Sequence, residues 1–412
     1  MDEIQLREIA DKFLRPLISG SRLEPQSVVS NKGQALVALA DPCTINFKTE
    51  KADLYRLVLR RSQPFAKVGA AGVNENKVVG SFVSVVQTMA KGLSSSYKAD
   101  ILAAFPRRVV AKALCNGQQE EDTLLAALDQ LTAWAGQQYE GKPIPAAIGF
   151  VPGTTNGTVT LGDLCKEGFS AVLSNGFDTL LTCDFLGRVL GHETLAPPPA
   201  ALHFSPYRLR SVAGWAKAGR IALVLNRTGE ILVFQDEELR FARRGGQWHF
   251  LTHAPVITQM GGPDNKDLRT AVYATCLDAS FARTGACLGI VTSNHANEWP
   301  ALAVSIGDHL GGAASTKAKV LTAIVGTSKF QDLDRRLRQE LVAIDGATLI
   351  DNVGRVLAVG AILKIPGGST GGGRLAAAKA LGSLGVGIKV SQDGGISGFH
   401  NDDTEAKFTV MC

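Results

Sequence analysis

A glycine-rich stretch at residues 366–373 leads directly into the helix-forming run of residues 374–381. Five of its eight residues are glycine, so regular structure is expected to begin only after it. Free N–H groups at the start of a helix, together with the helix dipole, favour a bound anion such as a phosphate. Arg374 lies in the first helical turn, where its guanidinium can contact the same anion. The alternative is a surface loop without a ligand, and this segment alone does not separate the two.

Length and composition indicate more than one α/β domain. A chain of 412 residues corresponds to two or three domains, and 45% hydrophobic with 20% charged residues excludes wholesale disorder. Glycine is abundant, at 44 residues, whereas aromatic residues reach only 6%, as is typical of α/β domains with many tight turns. We expect an α/β N-terminal region of unknown role at residues 1–250, with a candidate internal boundary at the proline-rich segment 197–206. A second domain is expected at residues 255–412.

Charge and cysteine content exclude several classes of protein. The 43 Lys and Arg residues only slightly exceed the 38 Asp and Glu residues, so anionic ligands are favoured and nucleic acid is not expected. The seven cysteines form no CxxC pair, which favours a reducing cytoplasm over a disulfide framework or a zinc site. The charged N-terminus does not resemble a signal peptide. No apolar stretch approaches the roughly 18 residues of a membrane-spanning helix, so membrane association would need a partner.

Hydrophobic periodicity predicts the main helices and strands. Helical spacing is found at residues 3–19, 119–139 and 267–284. Residues 221–251 are predicted to form three strands, with turns at 227–229 and 244–246. A further helix is expected in FQDLDRRLRQELVAIDGA, and its buried face is predicted to carry Phe330, Leu333, Leu337 and Leu341. A hairpin with its turn at Asn352-Val353-Gly354 follows.

The tripeptide Asp345-Gly346-Ala347 lies where this helix gives way to a strand. Asp345 is therefore a candidate to face a pocket and hold a metal. Gly346 permits close approach of a ligand to the backbone. The alternative is an ordinary helix stop with a solvated aspartate.

In combination, these segments resemble the diadenylate cyclase (DAC, or DisA_N) domain, which makes cyclic di-AMP from two ATP molecules. The resemblance is carried by Asp345-Gly346-Ala347, the hairpin LIDNVGRVLAVGAIL, the loop and helix GGGRLAAAKALG, and the closing VSQDGGISGF. It covers about residues 255–405 and does not extend to residues 1–250. The resemblance implies a mixed β-sheet flanked by helices in the C-terminal part.

The resemblance also implies roles for individual residues. Asp345 would bind Mg²⁺ or Mn²⁺ and help to activate the ribose 3′-hydroxyl, while Gly346 and Ala347 would line the nucleotide pocket. Ser391 would belong to the last motif of the site. The triphosphate would be held by the loop and the start of the helix, which comprise Gly371, Gly372, Gly373 and Arg374.

The sequence departs from the family in the residues that hold phosphate. Gly373 and Arg374 stand where the family has an Arg-His pair, so one cation replaces two donors. The acidic residue expected after Ser391 is Gln392, or Asp393 one position later. Loss of one such donor costs on the order of 100–1000-fold in rate. Binding is therefore expected to survive better than turnover.

Three functions are compatible with this pattern. The leading hypothesis is a signalling module that senses an adenine nucleotide or a cyclic dinucleotide and passes the signal to an effector protein. The second is an active diadenylate cyclase, a homo-oligomer whose DAC-like domains face each other because each supplies one ATP. In this case Asp345 and Arg374 would be catalytic. The third is a scaffold with a vestigial pocket.

Overall fold

A computed structural model describes residues 3–26, 35–49, 56–66, 72–89, 98–153, 157–199, 202–261, 265–312, 315–365, 372–401, 403 and 405–412. The chain divides into two compact units, Met1–Thr252 and His253–Cys412. The candidate internal boundary at 197–206 lies within the first unit. Both units combine helices with multi-stranded sheets, and the second contains a mixed sheet flanked by helices, which confirms the α/β class.

The described helices are short to medium in length. In chain order they are α1 Glu3–Ile9, α2 Glu75–Met89, α3 Lys98–Leu114, α4 Gln118–Ala135, α5 Leu161–Leu164, α6 Arg210–Trp215, α7 Ala254–Gln259, α8 Lys266–Ala282, α9 Trp299–Leu302, α10 Thr316–Val325, α11 Arg335–Ala343 and α12 Gly373–Gly382. Within the described part of the chain, none of them has both the length and the apolar character needed to span a membrane.

The strands belong to four sheets. They are β1 Arg22–Gln26, β2 Val37–Asp41, β3 Thr44–Phe47, β4 Arg56–Arg60, β5 Gln138–Tyr139, β6 Lys142–Pro143, β7 Ala146–Val151, β8 Thr179–Asp184, β9 Val189–Thr194, β10 Ile221–Leu225, β11 Ile231–Gln235, β12 Glu238–Arg244, β13 Gln247–Phe250, β14 Ala286–Val291, β15 Ala347–Asp351, β16 Val356–Ala361, β17 Gly385–Val390, β18 Ile396–His400 and β19 Phe408–Val410.

The first unit holds an antiparallel four-stranded sheet and a seven-stranded sheet. Their strand orders are β1-β4-β3-β2 and β13-β12-β11-β10-β7-β8-β9, and β5 and β6 form a separate pair. In the larger sheet β7 and β8 are parallel. Helix α4 packs against β10 and β11, which are buried almost throughout. This unit is therefore built around its sheets and the helices that cover them.

Residues 221–251 form four strands, whereas three were predicted. The additional turn is at Asp236 and Glu237, which both adopt left-handed backbone conformations, with φ of 54° and 62°. Two successive positive φ values give the tight turn that joins β11 to β12. The prediction was wrong here because the second position of such a turn normally carries Gly, and here that position is occupied by Glu237.

The predicted helices are present, but their boundaries and helix types differ in part from the predictions. Residues 3–19 begin as α1 and continue as a wider π-helical turn at Ala10–Leu14. Helix α3 was not predicted, because Pro106 lies inside it and proline normally ends a helix. Helix α11 begins only at Arg335, after the capping residue Asp334, and Phe330 belongs to a separate 3-10 turn.

The buried face of α11 also differs from the predicted one. It includes Arg335 and Arg338 beside Leu341, whereas Leu337 is only half-buried. Arg335 is satisfied by a bidentate ion pair with Asp278 of α8, at 2.7 Å and 2.9 Å. Burial, with the nearby Arg335 charge, lowers the pKa of Arg338 to about 10. Helices α8 and α11 are thus joined by a buried charge pair rather than by leucine packing alone.

The second unit is built on a six-stranded mixed sheet with the order β16-β15-β14-β17-β18-β19, in which β14 and β15 are parallel. Leu288 of β14 is opposite Thr348 of β15, so both side chains lie on one face. The Thr348 hydroxyl donates to the Leu341 carbonyl, which places α11 on that face. Gly289 lies against Leu381 of α12 on the other face. The sheet is therefore covered on both sides.

Helix α12 lies unusually close to its sheet because glycine is present where they cross. A Cβ atom on Gly387 would lie 1.7 Å from the Ala378 carbonyl oxygen, which is far inside contact distance. A Cβ atom on Gly289 would lie 2.9 Å from the Leu381 side chain. The position of α12, including its N-terminus, depends on these missing side chains.

We predict that Gly387→Ala lowers the free energy of unfolding of the second unit by about 1–3 kcal/mol, because the helix must move away from the sheet. Denaturant titration of the full chain measures the change when unfolding is monitored by hydrogen exchange in peptides from residues 385–400. Gly311→Ala is the matched control, since a Cβ atom there meets no described atom within 4 Å. Equal stability of the two variants would contradict the close contact.

Candidate functional site

The candidate residues approach one edge of the six-stranded sheet from three elements. Strand β15 begins at Ala347, so Asp345 precedes it at the edge where β14 also begins. Ala286 of β14 is opposite Val390, the last residue of β17, so Ser391 follows at the same edge. The structure thus brings Asp345 and Ser391 to the same edge of the sheet, where strand β14 lies between them.

The N-terminus of α12 reaches this edge as well. The Arg374 guanidinium is 3.0 Å from the point where a Cβ atom of Gly285 would lie, and Gly285 directly precedes β14. The Cys287 thiol lies 4.0 Å from the Arg374 carbonyl. Burial raises the pKa of that thiol to about 12, although the Arg374 charge lowers it, so Cys287 remains an unreactive core residue.

The start of α12 is exposed at its two described glycines, Gly372 and Gly373. Gly372 is the capping residue, with φ of 92°, and its carbonyl accepts from the Leu375 N–H at 3.1 Å. Among the described residues, no atom beyond the neighbours in the chain lies within 4 Å of the place where a Cβ atom would lie on Gly372 or on Gly373. Gly371 and the preceding part of the loop, residues 366–370, lie outside the described residues. At the described positions, the structure offers backbone N–H groups and one half-buried guanidinium.

Gly346 has a structural role within the sheet. Its φ is 106°, and a Cβ atom would lie 2.5 Å from the carbonyl carbon of Gly360. Glycine is therefore required because two backbones cross here, and the predicted approach of a ligand to Gly346 stays a prediction. Asp345 itself is exposed, and Ala347 is buried. The crossing fixes the backbone next to an exposed carboxylate.

Exposed aliphatic side chains flank the carboxylate. Ile344 directly precedes Asp345 and is 39% exposed, and Ile362 follows β16 and is 53% exposed. Ala361 is opposite Ala347, which brings Ile362 to the same edge of the sheet. An apolar surface of this kind can contact the face of a flat ring.

Ser391 and Asp393 belong to a fixed turn. The Ser391 hydroxyl contacts Asp393 and lies 3.1 Å from the Gly395 carbonyl. The hydrogen bond from Ser391 lowers the pKa of Asp393, so this exposed carboxyl is ionised at neutral pH. Its charge would repel a phosphate that came too close and would favour a cation or a sugar hydroxyl.

Two residues that sequence reasoning did not identify hold this turn. Ser280 donates to the Gly394 carbonyl at 2.6 Å, and Arg283 donates to the Asp393 carbonyl at 2.6 Å. Both stand at the end of α8, where Arg283 adopts a left-handed conformation with φ of 58°. A non-glycine residue with positive φ gives no sequence signal, so the contact could not have been predicted.

The site fits a metal that arrives with its ligand better than a resident metal. Among the described residues, no three His, Cys, Asp or Glu side chains group closely enough to hold an ion. Mg²⁺ is commonly held by one or two carboxylates together with substrate phosphates. Asp345 can provide one such exposed carboxylate.

No protein-family model matches the chain, and no curated protein matches it. Among solved structures, the chain is similar to a double mutant of DacA from Staphylococcus aureus. The similarity covers 36% of this chain and 90% of that chain, at 15% sequence identity and a TM-score of 0.25. Agreement at that level does not establish a common fold, so the site rests on its own geometry.

We predict that Ser391→Ala raises the pKa of Asp393 towards its ordinary value, because the hydroxyl that stabilises the carboxylate is removed. In the native protein this stabilisation is present at neutral pH and is lost as the pH falls through the lowered pKa. NMR titration of labelled aspartate carboxyls measures the shift. Ser383→Ala, whose hydroxyl bonds to the Ala380 carbonyl, is the control. An unchanged titration in Ser391→Ala would show that the hydroxyl does not bond to Asp393.

Proposed function

We propose that the second unit binds a nucleotide, either an adenine nucleotide or a cyclic dinucleotide, and acts as a sensor. The observation that carries the proposal is the meeting of three elements at one sheet edge. They are the exposed carboxylate of Asp345, the glycine-capped helix start with Arg374, and the turn that contains Ser391. Each suits a different part of a nucleotide.

The phosphates are assigned to the start of α12. No described residue occupies the place of a Cβ atom on Gly372 or Gly373, so phosphate oxygens can approach the backbone N–H groups there, where the helix dipole is favourable. The Arg374 guanidinium adds a charged hydrogen bond. Ala376 and Ala377, which follow, are half-buried and carry small side chains.

The base and the sugar are assigned to the neighbouring strands. Ile344 and Ile362 offer apolar surface for a purine ring. Asp345 is proposed to hold Mg²⁺ or Mn²⁺ that accompanies the phosphates and neutralises their charge when bound. Ser391 is proposed to meet the ligand through its turn rather than through a free hydroxyl, since that hydroxyl already contacts Asp393.

Sensing is favoured over turnover by the small number of cations. Phosphoryl and nucleotidyl transfer depend on positioning and on positive charge placed at the phosphates. Arg374 is the cation that the sequence retains at the position of the family's Arg-His pair. Binding needs fewer such groups, because backbone N–H groups can supply part of the interaction.

A second candidate function is an active diadenylate cyclase, favoured by the exposed carboxylate of Asp345 at the sheet edge. This function would need two copies face to face, each with one ATP, and a divalent cation. A sensor would instead pass its state to an effector protein. In either case we infer a reducing compartment such as the cytoplasm, because all seven cysteines are free thiols.

We predict that Arg374→Ala weakens nucleotide binding by about 1.5–3 kcal/mol, the range for a hydrogen bond to a charged group. Calorimetric titration of the full chain with ATP and Mg²⁺, and separately with cyclic di-AMP, measures the dissociation constant. Arg355→Ala is the matched control, since Arg355 is 78% exposed and follows the far end of β15. Identical dissociation constants for Arg374→Ala and the native protein would remove the Arg374 side chain from the site.

Incubation with ATP and Mn²⁺, read by mass spectrometry, separates the two functions. The sensor proposal predicts no cyclic di-AMP from the native chain, together with a thermal shift on adding nucleotide. Cyclic di-AMP from the native chain but not from Asp345→Asn would establish the cyclase instead. Neither product nor thermal shift at millimolar nucleotide would refute both.

A further inference from the structure

We propose that Lys317 is a positioning residue of this nucleotide site, a role that rests on the proposed function. It lies on α10, 28 residues before Asp345 in sequence, and belongs to none of the motifs that suggested the site. It acts through the backbone crossing that fixes the Asp345 turn.

The Lys317 ammonium makes two described hydrogen bonds. It donates to the Asp308 carboxylate at 2.7 Å and to the Gly360 carbonyl at 2.8 Å. The side chain is 38% exposed, so the ion pair alone would contribute little to stability. The bond to a backbone carbonyl is different, because it ties a charged donor to one fixed point in the sheet.

That point is an irregularity in the strand pair. The pairing of β15 with β16 shifts between Ala347 and Leu349, so Gly360 lies in a β-bulge. A bulge interrupts the regular ladder and leaves local backbone groups in need of other partners. Lys317 supplies a donor to the Gly360 carbonyl where the ladder is irregular.

On the side of β16 that faces away from β15, the backbone pairing is also irregular. Isolated bridges join Ala303 to Leu363 and His309 to Ala358, on either side of Gly360. The segment that contains Asp308 therefore runs along this strand. Between the two bridges, the Lys317 ammonium donates a hydrogen bond to the Gly360 carbonyl and so supports the bulge.

The bulge transmits this support to Asp345. The point where a Cβ atom of Gly360 would lie is 3.1 Å from the Lys317 ammonium and 2.9 Å from the Asp345 carbonyl oxygen. The backbone of Gly346 crosses Gly360 on the neighbouring strand, with no room for a side chain. A shift of the Gly360 carbonyl would therefore move the Asp345 turn and redirect its carboxylate.

Hydrogen exchange in the nucleotide-free full chain tests the positioning directly. Lys317→Met is expected to raise exchange in peptides covering residues 344–349 and 356–362 about tenfold. Lys317→Arg, which keeps a charged donor, is expected to restore much of the protection. Lys319→Met is the matched control on the same helix, at an exposed position, and is expected to change nothing.

Asp308→Asn separates the two bonds of Lys317. It removes the charge partner but leaves the bond to Gly360, so exchange at 344–349 is expected to remain close to native. An equal rise in Asp308→Asn and Lys317→Met would assign the effect to the ion pair and overturn the proposal. Unchanged exchange in Lys317→Met would also overturn it.

Affinity provides a reading that a purely structural role would not change. Lys317→Met is expected to weaken binding of ATP with Mg²⁺ about tenfold and binding of metal-free ATP much less, because only the former uses the Asp345 carboxylate. Equal weakening of both would contradict a role through Asp345. If the native protein binds no nucleotide but Lys317→Met still raises exchange at residues 344–349, the role of Lys317 in positioning the turn stands and the proposed function is refuted.

Discussion

The close contact between α12 and its sheet is the constraint on which the candidate site depends. The Ala378 carbonyl occupies the place of a side chain on Gly387, and Leu381 lies over Gly289. Helix α12 therefore has little freedom to slide along β14 and β17. Its first turn comes to lie beside Gly285, and the Arg374 guanidinium follows. A larger side chain at either crossing would move the only helix start that the site uses among the described residues.

A second backbone crossing fixes the other half of the edge. Gly346 and Gly360 touch where the bulge of β15 and β16 leaves the ladder irregular, and Lys317 bonds to that bulge. Behind the sheet, the buried pair of Asp278 and Arg335 ties α8 to α11. Helix α8 ends beside the turn that contains Asp393, and helix α11 leads into Asp345. Groups exposed at the edge are thus supported by a well-packed interior.

The sequence was informative where a local pattern decides the structure. Helix α8, the hairpin of β15 and β16, and the start of α12 after its glycines follow from periodicity, turn residues and capping. It was less informative where tertiary contacts decide. The positive φ of Glu237, the helix through Pro106 and the buried Arg335 all oppose local preference. Lys317 is far from Asp345 in sequence, so no spacing rule could have linked them.

Hydrogen exchange of the full chain with and without nucleotide shows whether the three elements form one binding site. With saturating ATP and Mg²⁺, or with cyclic di-AMP, we expect slower exchange in three separate segments at once, residues 344–349, 372–376 and 391–395. The cleft of the first unit lined by Gln119, Gln130 and Lys166 is expected to stay unchanged. Protection confined to that cleft, or protection of one of the three segments without the others, would contradict a nucleotide site at this sheet edge.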